Sequence, residues 1–329
     1  VSSMEIYIVR RIPRKILLGL TAGIFSMSSA HSVFAQPHVI ASIPPIHSLI
    51  AGIMDGVAEP KLLIKGGASP HTYALRPSDA SALEGADVIF WVGETLEGFL
   101  EKPLESLGGN ARIVELMEAP GIRLRHPERD GNYEPHDHDH DHDHDDGGED
   151  HEDHDDHIGA DAHIWLSPGN AAAIVTAAVT ALEQADPAHA AIYRANGERV
   201  TDRIGEQAGR LRDILTPVSD KPFVVFHDAY GYFEEAFGLH SVGSITVSPD
   251  RLPGARRLDE LHGKIARLGA VCVFREPQFA PKLAQAIVEG TEARLGVLDP
   301  LGAELGAGKE LYFELMRKNA DSLAACLSR

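Results

Sequence analysis

Short apolar runs alternating with helix-compatible stretches, once in the first third of the chain and again in the last third, constrain the possible folds more than any other feature. The first set is Val39-Ile40-Ala41, Leu62-Leu63-Ile64 and Val88-Ile89-Phe90-Trp91, and Pro77-Ser78-Asp79 between the last two suits a helix start. The same grammar returns after Lys221 with Phe223 to Phe226, Val271 to Phe274, a helix opened near Pro281, and Leu295 to Leu298. Each set reads as βαβ units around a parallel sheet. The expected fold class is therefore α/β, with two α/β lobes carrying parallel sheets.

Between the sets, Pro187 opens a stretch of good helix formers with Ile192, Val200, Ile204, Leu211 and Leu215 at roughly helical spacing. One long linking helix over 187–216, at about 1.5 Å per residue, would run along both lobes. The alternative is two shorter helices broken near Asn196-Gly197. The expected domains are thus 36–186 and 217–329, joined by that rigid helix.

Residues 1–35 read as a secretory signal. A basic patch (Arg10, Arg11, Arg14, Lys15) precedes an apolar run from Ile16 to Phe25, and Val33-Phe34-Ala35 suits cleavage before Gln36. The apolar run is short for a membrane span, so an exported chain without membrane insertion is expected. No cysteine precedes Cys272, so no thiol near the cleavage site is available for a lipid anchor, which favours a periplasm. Cys272 and Cys326 suit one disulfide in that oxidising compartment, the alternative being two unconnected buried thiols.

The formal net charge of -19 is concentrated locally: 14 Asp and Glu residues lie between Asp130 and Asp156 with no Lys or Arg among them. A nucleic-acid partner is disfavoured by that balance. The same segment carries His136, His138, His140, His142, His144, His151, His154 and His157, alternating with Asp at first. Lacking apolar residues, 130–157 is expected to be a disordered insertion in the first lobe. Its imidazoles suit weak, exchangeable binding of borderline divalent ions, because a floppy ligand loses ordering entropy at each binding event.

Three further histidines stand where strands end or segments turn. His71 follows Gly66-Gly67-Ala68-Ser69-Pro70, His163 sits in Asp161-Ala162-His163-Ile164-Trp165, and His227 ends the run 223–226. In open α/β sheets the carboxyl ends of strands face the ligand cleft. Spacing alone does not show that the three converge.

The stretches 67–79, 163–168 and 226–233, continued by Glu276-Pro277-Gln278-Phe279 and Leu298-Asp299-Pro300-Leu301-Gly302, resemble the metal-binding receptors of ABC transporters, in their zinc-uptake (ZnuA-like) branch. The resemblance covers nearly the whole chain after residue 35. It implies two α/β lobes joined by a long rigid helix, with a metal between them, and His71, His163 and His227 matching the imidazole ligands. It further implies Zn²⁺ as the bound ion, hand-over to the membrane permease of an ABC importer, a monomer, and no enzymatic activity. Manganese-type relatives place a carboxylate where His227 stands, and imidazole suits Zn²⁺ better than Mn²⁺. Some zinc receptors carry a glutamate before the first histidine, but Pro70 occupies that place here. Asp299, directly or through water, is therefore the expected fourth ligand, with Asp161 and Glu276 as candidates to orient ligands.

Two other functions compete. A zinc hydrolase also uses three protein ligands and a water, but the sequence offers no His-Glu-x-x-His helix and no clear general base. A periplasmic zinc buffer or chaperone would act mainly through the histidine-rich segment.

Overall fold

The computed structural model describes residues 36–109, 111–126, 159–246, 254–279 and 282–328. The expected signal segment and the histidine-rich stretch, with all eight of its histidines, lie outside the described residues.

The first half forms β1 (Val39–Ala41), α1 (Pro44–Ile53), β2 (Lys61–Leu62), α2 (Pro77–Glu84), β3 (Val88–Trp91), α3 (Glu94–Glu97), α4 (Glu101–Leu107) and β4 (Arg112–Glu115). Their strands make a parallel sheet in the order β2-β1-β3-β4, with Val39 paired to Val88 and Ile40 to Lys61. The expected strand at 62–64 begins one residue earlier. Its ladder nonetheless continues, since Leu63 N donates to Ala41 O and Ile64 N to Ser42 O.

Two helices follow, α5 (Pro168–Ala185) and α6 (Ala190–Leu215). The second half then supplies β5 (Phe223–His227), α7 (Gly231–Phe237), β6 (Ser241–Thr246), α8 (Ala255–Leu268), β7 (Cys272–Arg275), α9 (Lys282–Val288), β8 (Arg294–Val297) and α10 (Leu311–Leu327). Its strands repeat the plan as β6-β5-β7-β8, again all parallel. The inner strands β1, β3 and β5 are buried at every position, which is what coverage on both faces demands and why they read as unbroken apolar runs. The edge strands β4 and β8 carry the exposed Ile113, Leu295 and Val297.

Helix α6 spans 26 residues, about 39 Å at the usual rise. It runs unbroken through Asn196-Gly197. Asn196 is buried and donates to Ile53 O and Asp55 O at the end of α1. A Cβ on Gly197 would come within 2.4 Å of Val179 Cγ2 on α5, so glycine here permits close helix crossing rather than a break. The pair that looked like a helix breaker is a packing contact. Pro187 opens a separate 3₁₀ turn, Pro187–His189, just before α6.

One apolar core runs from Val39, Ile46 and Phe90 through Trp165, Ile174 and Tyr193 to Phe223, Phe274 and Tyr312, so both sheets share it. Smaller cores cover the outer faces: Ile40, Leu83 and Ile89 on the first sheet, and Val224, Ile245 and Val273 on the second. Helix α10 ties the halves together. Tyr312 N donates to Ser48 Oγ on α1, and Gln207 Nε2 on α6 donates to Phe313 O. Cys272 and Cys326 form a disulfide that fastens the last turn of α10 to the head of β7.

Candidate metal centre

Each sheet turns its chain to one side and then crosses to the other, which opens a crevice at the carboxyl ends of the central strands. In the second sheet that crevice lies between β5 and β7. His227 is the last residue of β5 and Glu276 the first past β7. In the first half, the segment after β2 turns at Gly66, whose φ of +67° suits glycine, and then forms the 3₁₀ turn Pro70–Thr72 that carries His71. His163 stands immediately before the 3₁₀ turn Ile164–Leu166, held by the buried Trp165, whose Nε1 donates to Pro300 O at 2.7 Å.

These placements bring the three imidazoles together. One ring nitrogen from each of His71, His163 and His227 lies within 4.8 Å of the others, the one such group of histidine, cysteine or carboxylate donors among the described residues. The Nε2 atoms of His163 and His227 are 3.3 Å apart. Two nitrogens bound tetrahedrally to Zn²⁺ at 2.0–2.1 Å would sit about 3.3 Å apart, so the pair has the spacing such an ion requires. The donors fit the ion.

Carboxylates stand behind two of the rings. His163 Nδ1 lies 2.8 Å from Asp161 Oδ1, and His227 Nδ1 lies 2.6 Å from Glu276 Oε1. A carboxylate accepts the Nδ1 proton, which leaves Nε2 as the bare donor and fixes the ring plane. Asp161 and Glu276 thus sit where residues that orient ligands must. Tyr230 adds a hydroxyl contact to Glu276, and the Arg125 guanidinium lies 3.6 Å from Asp161 Oδ2.

The two buried rings differ electrostatically. His163 is held well below the ordinary imidazole value, first by burial and then by the neighbouring His227. Burial also lowers His227, but Glu276, Asp228 and Asp161 together outweigh it and raise the ring above 6.5. Burial pushes the Asp161 carboxyl up to about 7 against the opposing bond from His163 N and the charge of Arg125. A divalent ion placed among these groups would be met by neutral nitrogens in front and carboxylates behind.

Asp299 lies outside the imidazole group. Its Oδ1 accepts from Leu301 N, Gly302 N and Gln278 Nε2, and its Oδ2 accepts from Ala303 N at 2.7 Å. Four donors engage this carboxylate, and its local role is to close the turn after β8. The Asp-Pro pair signals such a turn as readily as a ligand.

The imidazoles line a cavity of about 10 Å³ together with Pro70, Phe279, Pro300 and Leu301. That is room for one small species. A groove of about 1030 Å³, lined by His47, Lys61, Lys65 and Lys309, shares no residue with the imidazole cavity.

Sequence reasoning missed Arg125, and noticed Tyr230 and Tyr232 only as part of the 226–233 motif. Tyr232 Oη accepts from Arg125 N and donates to Asp161 O, joining α7 to the segment beside His163. The only sequence signal was aromatic density after His227. Gln278 was noticed only as part of a motif.

The family model described as "Zinc-uptake complex component A periplasmic" matches residues 39–326. A high-affinity zinc uptake system protein of Brucella suis is 46% identical over 306 residues, covering 88% of this chain and 92% of that protein. A crystal structure of ZnuA superposes with a TM-score of 0.72 at 25% identity, covering 89% of this chain and 100% of that one. A ZnuA deletion mutant solved with zinc bound matches equally well, with a TM-score of 0.72 at 25% identity over 90% of this chain and 99% of that one. The chain belongs to the ZnuA family of periplasmic zinc-uptake components.

Proposed function

We propose that this protein is a periplasmic receptor that captures Zn²⁺ through His71, His163 and His227 and delivers it to the membrane permease of an ABC-type importer. The observation that carries the reading is the convergence of three ring nitrogens, two of them 3.3 Å apart and backed by Asp161 and Glu276. The zinc-uptake relatives support the identity of the ion. In this reading the ion is cargo. The carboxylates keep both buried rings in the tautomer that presents Nε2.

The fourth position belongs to a water in this reading, because the Asp299 carboxylate is already engaged by four donors. The histidine-rich segment acts as a collector of weakly held metal. The zinc-uptake relatives set the receptor above the hydrolase.

Isothermal titration of the chain lacking 130–157 tests this directly. The expected result is one tight zinc site per molecule, lost in His163→Ala. No tight site in the deleted chain would move the function to the histidine-rich segment and overturn the receptor reading.

A further inference from the structure

Gln278 borders the imidazole cavity, and its amide is oriented by chemistry that leaves no choice. The group 3.0 Å from Asp299 Oδ1 must be the NH₂, because an ionised carboxylate only accepts. Asp299 in turn is fixed by the backbone N–H groups of Leu301, Gly302 and Ala303. The amide oxygen is thereby turned away from Asp299. Gln278 Oε1 is buried and has no hydrogen-bond partner among the described residues. A buried acceptor left unmade costs about 1–3 kcal/mol, so such a group at a binding cavity calls for a donor that arrives with the ligand.

The two buried imidazoles supply no such donor to Gln278 when they bind a metal through Nε2, because the Nδ1 protons of His163 and His227 face Asp161 and Glu276. A metal-bound water has two protons to give. We infer that Gln278 is a positioning residue for the fourth ligand: its Oε1 accepts a hydrogen bond from the water on the captured Zn²⁺, and Asp299 acts on the metal only through Gln278. The inference rests on the three-histidine reading. It recasts Asp299 from a ligand to the anchor of the residue that holds the water.

The test compares wild-type protein with Gln278→Leu, which keeps the bulk and removes the acceptor together with the Nε2 donor to Asp299. Zinc affinity should fall about 10- to 100-fold, the usual range for loss of an outer partner of a metal ligand. Thermal unfolding of the metal-free variant should stay close to the wild-type value, since removal of the unpaired buried oxygen offsets loss of the hydrogen bond to Asp299. Electron-nuclear double resonance on the Co²⁺-loaded proteins, in H₂O and D₂O, gives an independent signature. Wild type should show the exchangeable protons of a bound water, and the variant should show them with altered couplings. Equal zinc affinity and equal couplings in a folded variant would overturn the inference while leaving the three-histidine site intact. Absence of bound-water protons in wild type, as distinct from the exchangeable N–H protons of the imidazoles, would overturn it even if the variant failed to fold. Failure of wild type to bind zinc would instead sink the receptor reading itself.

Discussion

The two sheets contribute unequally to the imidazole cluster. The second sheet offers His227 from the end of a fully buried strand, 4% exposed and backed by Glu276, which itself follows the neighbouring strand. The first offers His71 from a three-residue turn beyond its edge strand, only partly buried. His163 belongs with the rigid half, since it is 6% exposed, bonded to Asp161 and packed against Trp165. The difference teaches that the cluster combines two buried, carboxylate-backed imidazoles with a third that is more exposed.

The harshest way to break the rigid half is to cut its fastening. The Cys272–Cys326 bond closes a loop of 54 residues, which by chain entropy contributes about 4 kcal/mol. Replacing both cysteines by alanine should lower denaturant stability by roughly that amount, while zinc affinity of the folded protein stays within about threefold.

Ligand removal comes next and separates the halves. Structural zinc sites are worth about 10–16 kcal/mol over four ligands, so His227→Ala should weaken zinc about 100- to 1,000-fold by competition titration. His71→Ala, at the more exposed position, should cost about tenfold less than His227→Ala, because solvent can take that place. Equal losses would erase the proposed distinction.

Glu276→Gln sharpens the comparison within the rigid pair. Losing the carboxylate behind His227 should reduce affinity about 10- to 100-fold. It should also change the pH profile, the smallest of these effects. His163 is lowered and stays neutral as pH falls, whereas His227 is raised, so a proton competes for its ring from above pH 6.5 downward. Wild-type zinc affinity should therefore be flat at alkaline pH and begin to fall before the pH reaches 6.5, by no more than about tenfold per unit for this one group. In Glu276→Gln the fall should begin at lower pH, because the largest influence raising His227 is gone.

Much of this was legible in the sequence because parallel strands buried on both faces appear as bare apolar runs, and β3 and β5 fall where those runs do. The three histidines were legible as residues at strand ends and turns, although their meeting was carried by resemblance. The continuity of α6 was not, because Asn196-Gly197 breaks a helix in isolation and cements one when Val179 and the end of α1 press against it. The surroundings of Asp299 were hidden for a related reason. Its engagement by Leu301, Gly302 and Ala303 is local backbone geometry that residue type does not announce. Arg125 and Tyr232 are 107 residues apart, and only the fold brings them to Asp161.

Diffraction from crystals of the zinc-loaded protein, measured on both sides of the zinc absorption edge, tests the central claim most directly. The account predicts an anomalous peak in the cavity within about 2.0–2.1 Å of a ring nitrogen from each of His71, His163 and His227, with Asp299 still turned to its backbone donors. A peak held by fewer than three of these rings, or by the Asp299 carboxylate in place of a water, would contradict it.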